Sequence, residues 1–92
     1  MDRMMILKAN GDAIHTTGNL KTSEESLIRI NSENNDFYTG ILQEGFGFIN
    51  IIFKKEDCRK LTTEEIKKYN GQWYFINGQP ISRIFLDEDG NV

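Results

Sequence analysis

Few side chains in this sequence have the type and spacing for chemistry. The single histidine, His15, sits in DAIHTT with no Cys, Asp or Glu at the spacing of a metal-ligand set. The single cysteine, Cys58, lies among Lys54, Lys55, Arg59 and Lys60. Such cations lower a thiol pKa. A catalytic cysteine also needs a positioned base, and only the distant His15 could serve. Asp87-Glu88-Asp89-Gly90-Asn91 has the composition of a calcium loop but the wrong spacing to its glycine, and the chain ends before a twelfth-position Glu. Gly45-Phe46-Gly47 precedes a strand pattern rather than a helix N-terminus, so it does not build a phosphate loop. The reading is no catalytic residues, no metal, no cofactor and no enzyme.

The remaining candidates are aromatic. Tyr69, Trp73, Tyr74 and Phe75 cluster near Arg83, and Trp, Tyr and Arg are the types most enriched where proteins bind one another. On a strand, Trp73 and Phe75 point to one side and Tyr74 and Ile76 to the other, so one pair faces the core. Tyr69, Trp73, Tyr74 and Arg83 are therefore the candidate partner-binding residues. A second candidate surface is Phe46 and Phe48 with Lys54 and Lys55. The segment Gly45-Phe46-Gly47-Phe48-Ile49 resembles the aromatic strand of cold-shock domains and RNA-recognition motifs. That resemblance implies bases stacked on the rings and phosphates held by basic neighbours. The chain departs from the pattern: Glu44 stands where a basic residue is expected, and Ile51-Ile52-Phe53 replaces the downstream aromatic cluster. The competing expectation is that Phe46 and Phe48 are core residues.

The elements that position these groups read mostly as strands. Arg3 to Lys8 is a strand, and Asn10-Gly11 predicts a hairpin to a second strand over Asp12 to Thr17, because a type I′ turn needs positive φ at both central residues. Gly18 to Ser26 is polar and aperiodic and reads as a loop. Leu27 to Asn31 and Phe37 to Gln43 are strands, the latter with Gly40 inside it. Phe46 to Phe53 lacks alternation and predicts a central strand buried on both faces. Thr62 and Glu65 form a capping box, Leu61 and Ile66 a hydrophobic staple, and Gly71 a left-handed stop, so a helix occupies about residues 63–70. Its Ile66 and Tyr69 are expected to pack on the sheet. Gln72 to Ile76, Asn77-Gly78 and Gln79 to Leu86 make a second hairpin, with Pro80 confining the last strand to an edge.

The sum is an α+β, mostly β, antiparallel meander of about seven strands with one short helix, either a twisted sheet or a small, partly open barrel. The 92 residues make a single domain over 1–92. No apolar run approaches a membrane span, and Met4 to Leu7 is too short for a signal peptide. One cysteine allows no internal disulfide, which points to the cytoplasm.

Charge narrows the partner. The formal net charge is −3, whereas general nucleic-acid binders carry a basic excess. Only residues 54–68 are mildly basic, with six basic and four acidic side chains. Twelve Ile against one Val, with nine Asn and seven Lys, is the composition of an A/T-rich genome, such as that of a low-GC bacterium or its phages and plasmids. The expectation is a non-catalytic small binding protein, an inhibitor or adaptor docking on a protein partner, of the kind carried by phages or mobile elements. A homodimer through an edge strand belongs to the same expectation. The alternatives are a single-stranded nucleic-acid-binding β-domain and a small-ligand binder holding a nucleotide between aromatics and Arg83.

Overall fold

The structure, a computed structural model, describes residues 2–43 and 47–92. It is mostly β, with an open antiparallel sheet of seven strands, one short helix and a separate two-stranded hairpin. The strands are β1 (Arg3–Leu7), β2 (Asp12–His15), β3 (Gly18–Lys21), β4 (Ser26–Glu33), β5 (Phe37–Leu42), β6 (Phe48–Lys54) and β7 (Cys58–Lys60). Helix α1 (Thr63–Tyr69) follows, then β8 (Trp73–Ile76) and β9 (Gln79–Arg83). The fold class is the expected one. The strand order is not a simple meander: it runs β3-β2-β6-β5-β4-β1-β7.

That order forces the sheet to curl. β1 and β2 follow one another in the chain, yet β4, β5 and β6 lie between them. Four strand spacings in a flat sheet cover about 19 Å. The five peptide steps from Leu7 to Asp12 reach at most about 18 Å when fully extended. The connector is not extended, because Gly11 N–H donates to the Lys8 carbonyl at 3.0 Å. The sheet therefore bends until Leu7 and Ala13 share one core with Met5, Ile28, Ile30, Leu42, Ile51 and Phe53 on its concave face. Asn10-Gly11 is thus a corner of this roll and not the expected hairpin. Asn10 has φ 59° but Gly11 is not in the left-handed region, and β1 pairs with β4 and β7 instead of β2.

Two further expectations are corrected. Residues 18–21 are strand and not loop. Gly18 takes φ 141°, and β3 returns along β2 with every residue exposed. An edge strand with neither face covered leaves no apolar alternation to read. β6, although central, is buried on one face only: Ile51 and Phe53 point inward while Ile52 is 38% exposed. Its broken alternation has a local cause. Asn50 sits at φ 57°, and the β5–β6 register shifts between Gly40 and Leu42. Gly40 is needed for a close approach, since a Cβ there would overlap the Arg29 carbonyl oxygen.

A second layer covers the outer face of β1 and β4. Met4 and Ile6 pack there with Leu61, Ile84, Ile66, Tyr69 and Tyr74. The helix start follows the sequence: the Thr62 hydroxyl accepts from Glu65 N–H at 3.2 Å, and the Glu65 carboxylate accepts from Thr62 N–H at 2.9 Å. Seven residues cannot hold a helix alone, so packing of Ile66 and Tyr69 must. Asn77 (φ 49°) and Gly78 (φ 81°) make the expected tight turn of the β8–β9 hairpin.

Candidate functional site

The hairpin is fastened to the sheet through one edge. Gln43, just past β5, presents its side-chain amide to β8 as a strand would: Nε2 donates to the Phe75 carbonyl at 3.0 Å, and Oε1 accepts from Phe75 N–H at 3.0 Å. Beside it, Asn77 N–H donates to the Gly47 carbonyl at 3.0 Å. Gly47, at φ 73°, lies so close that a Cβ would overlap the Phe75 carbonyl. β8 is thereby capped on its inner edge and paired with β9 on the other. Among the described residues β9 pairs with β8 alone, so its far edge has no strand partner there.

The four partner-binding candidates split into two pairs. Tyr69 and Tyr74 are half-buried in the second layer. The Arg29 guanidinium lies over the Tyr74 ring at 4.6 Å, and the Lys68 ammonium over the Tyr69 ring at 5.2 Å. Trp73 and Arg83 are opposed in the hairpin register and lie outside. Trp73 is 50% exposed and the Arg83 guanidinium stands 5.1 Å from its ring, anchored by a 2.8 Å bond from Nη1 to the Gly71 carbonyl. Holding the guanidinium on the indole keeps both rigid, so little side-chain entropy is left to lose on contact.

Two neighbours missed by the sequence reading enlarge this face. Phe85 is 65% exposed and Ile81 47%. The signal for Phe85 was present: a strand read over Gln79 to Leu86 puts Phe85 on the same side as Arg83, and although β9 ends at Arg83, Ile84 is buried and Phe85 exposed as that alternation requires. Ile81 had no such signal, because the β8–β9 register shifts between Tyr74 and Phe75. A 290 Å³ cleft runs beneath the face between Leu27, Tyr69, Trp73 and Phe75. Gln43 and Gln72 also line it, but the Gln43 amide already serves Phe75 and Gln72 Nε2 the Lys68 carbonyl at 2.7 Å.

The nucleic-acid candidates are not gathered in this way. Phe46 lies outside the described residues. Phe48 is 43% exposed, so it is not the core residue expected of it. Lys54 is paired with Asp12 at 3.0 Å, and Lys55 with Glu33 at 2.7 Å. Each ammonium already has a carboxylate, which a phosphate would have to displace.

The reactive groups have structural partners. Burial pushes the Cys58 thiol up to about 12, with a further contribution from the Asp57 carboxylate. The lysines around it in sequence therefore do not activate it; its Sγ donates to the Lys54 carbonyl at 3.4 Å. His15 Nδ1 is 3.1 Å from the Thr17 hydroxyl. The Asp87 carboxylate accepts from Asp89 N–H at 2.8 Å and from Asn91 N–H at 2.9 Å, which makes the acidic loop a turn closed on its own backbone. Among the described residues, no group of three His, Cys, Asp or Glu is placed to hold a metal. No described helix is long and apolar enough to cross a membrane.

Compared with protein-family models, curated proteins and solved structures, the chain matches none.

Proposed function

We propose that this is a non-catalytic binding protein that docks on a protein partner through the outer face of the β8–β9 hairpin. The observation that carries the reading is the exposure of Trp73, Ile81 and Phe85 around a fixed Arg83, beside a strand edge that has no partner among the described residues. Large exposed aromatics with a pre-positioned arginine are what binding hot spots use. A free edge adds main-chain hydrogen bonds to an incoming strand. The same edge can take a second copy of this chain, with Pro80 limiting the donors available. An inhibitor or adaptor needs nothing beyond such a surface on a stable scaffold. The A/T-rich composition supports a phage or mobile element of a low-GC bacterium as the source, and the lone unpaired thiol supports a cytoplasmic setting.

The ion pairs that occupy Lys54 and Lys55 weigh against the nucleic-acid alternative. The anchoring of Arg83 on Trp73 and Gly71 weighs against its gripping a nucleotide. Affinity capture from lysate of the source cells, with and without nuclease and at two salt concentrations, tests the reading. A protein that stays bound through nuclease and high salt is the expected result. Recovery of nucleic acid alone, lost as salt rises, would overturn it.

A further inference from the structure

The rolled sheet is tied at one end and open at the other. At the tied end, Lys8 Nζ meets the Asp57 carboxylate at 2.8 Å, and Asp12 N–H donates to the same carboxylate at 3.2 Å. Asp12 in turn holds Lys54 at 3.0 Å and Lys21 at 3.4 Å. These bonds join β2 and β3 to the β1–β2 corner and to the segment before β7, across the gap between the two halves of the roll. The registers place the other end of the same strands far from this clasp. β2 runs from Asp12 to His15, β3 returns from Gly18, and β6 enters at Phe48, beyond the His15 end of β2.

At that end a cavity of 370 Å³ opens onto the concave face. Ile51, fully buried, forms its floor as part of the sheet core. Leu20 lies on the core side, because it is opposite Ala13, and Phe48 does so because it is opposite Leu42. Both are 43% exposed. His15, Thr17 and Asn19 supply polar groups to the lining, and among the described residues no carboxylate lines it. Apolar walls with a few polar groups, at the mouth of a curled sheet, are the usual make-up of a small-molecule site, and the volume lies at the lower end of that class.

We propose that the open end of the roll binds a small amphiphile: an aliphatic chain against Ile51, Leu20 and Phe48, with its head hydrogen-bonded by His15 and Thr17. The His15 ring and the Thr17 hydroxyl already face each other at 3.1 Å, so a head group meets two polar side chains held in place. The site is separate from the hairpin surface and does not rest on it.

Decanoic acid and decanol, both below their micelle concentrations, are the probes. Titration of the whole chain, followed by amide chemical shifts, is expected to give saturable shifts at His15, Gly18, Leu20 and Ile51, with those of Trp73 and Phe75 unmoved. Calorimetry is expected to show a negative heat-capacity change. Decanoic acid is expected to bind more tightly than decanol, because its carboxylate is the stronger acceptor. Leu20→Ser with Phe48→Ser removes apolar walls that are already half-exposed, and it is expected to weaken binding about tenfold or more. The shift map of the unaltered protein decides the matter if that variant fails to fold. Shifts on the hairpin, no saturation with either probe, or unchanged affinity in a folded double variant would overturn the proposal.

Discussion

Cys58 shows how far a residue's neighbours in sequence can mislead. Four cations within four positions suggest a reactive thiolate, but Arg59 and Lys60 stand on edge strand β7, and Lys54 and Lys55 at the end of β6 and just after it, while the thiol turns toward the core. Burial raises its pKa from 9.0 to about 12. Native protein is therefore expected to react with iodoacetamide at neutral pH far more slowly than the same protein in denaturant. Equal rates would contradict the assignment. The sign for stability follows: the folded state resists losing this proton, so the contribution is complete below pH 9.0 and is lost as pH rises toward 12. Glu65 behaves in the opposite sense. The Arg59 guanidinium grips its carboxylate at 2.7 and 2.9 Å and, with Thr62 N–H, lowers its pKa from 4.5 to about 2. Its contribution is present above pH 4.5 and is lost as pH falls through about 2. Melting temperature is expected to fall across that window, and Glu65→Gln is expected to flatten the fall. An identical acid profile in the variant would show that the pair does not carry it.

At the scale of elements, the sequence was readable wherever structure is local. Thr62, Glu65 and Gly71 mark both ends of α1 because caps satisfy backbone groups within one turn. Asn77-Gly78 marks its hairpin because the turn alone sets the register. The same dipeptide at Asn10-Gly11 gave the wrong element, because burial of Leu7 and Ala13 in one core overrides the local turn preference. β3 was hidden because none of its residues is buried, and β7 because three residues hold no period. Gln43 was invisible for another reason: a polar residue at a strand end does not announce that it completes another strand's edge. Gln43→Ala is expected to remove both bonds to Phe75, lower global stability by about 1–2 kcal/mol, and loosen the hairpin. Fluorescence of Trp73, the lone tryptophan, and amide exchange at the β8 positions Tyr74 and Phe75 report the loosening. Exchange unchanged at those two amides would mean that Gln43 is not the fastening.

At the scale of the molecule, class was legible and order was not. Strand-rich sequence with short turns fixes an antiparallel sheet. Nothing in the sequence pairs β1 with β4, or β2 with β6, since those contacts arise only when distant apolar faces meet in one core. The candidate site was half legible. Trp73 and Arg83 stand exposed while Tyr69 and Tyr74 pack in the second layer, and exposed Ile81 on β9 and Phe85 just past it flank Arg83. The roll thus presents two separate surfaces, the hairpin face outside and the cavity at its open end. The most direct measurement is a three-way affinity capture from source-cell lysate, using the unaltered protein, Trp73→Ser with Phe85→Ser, and Leu20→Ser with Phe48→Ser, each first shown to be folded. The unaltered protein and the cavity variant are expected to retain the same protein partner through nuclease and high salt, and the hairpin variant to lose it. Retention by the hairpin variant would show that the outer face of the hairpin is not the docking surface.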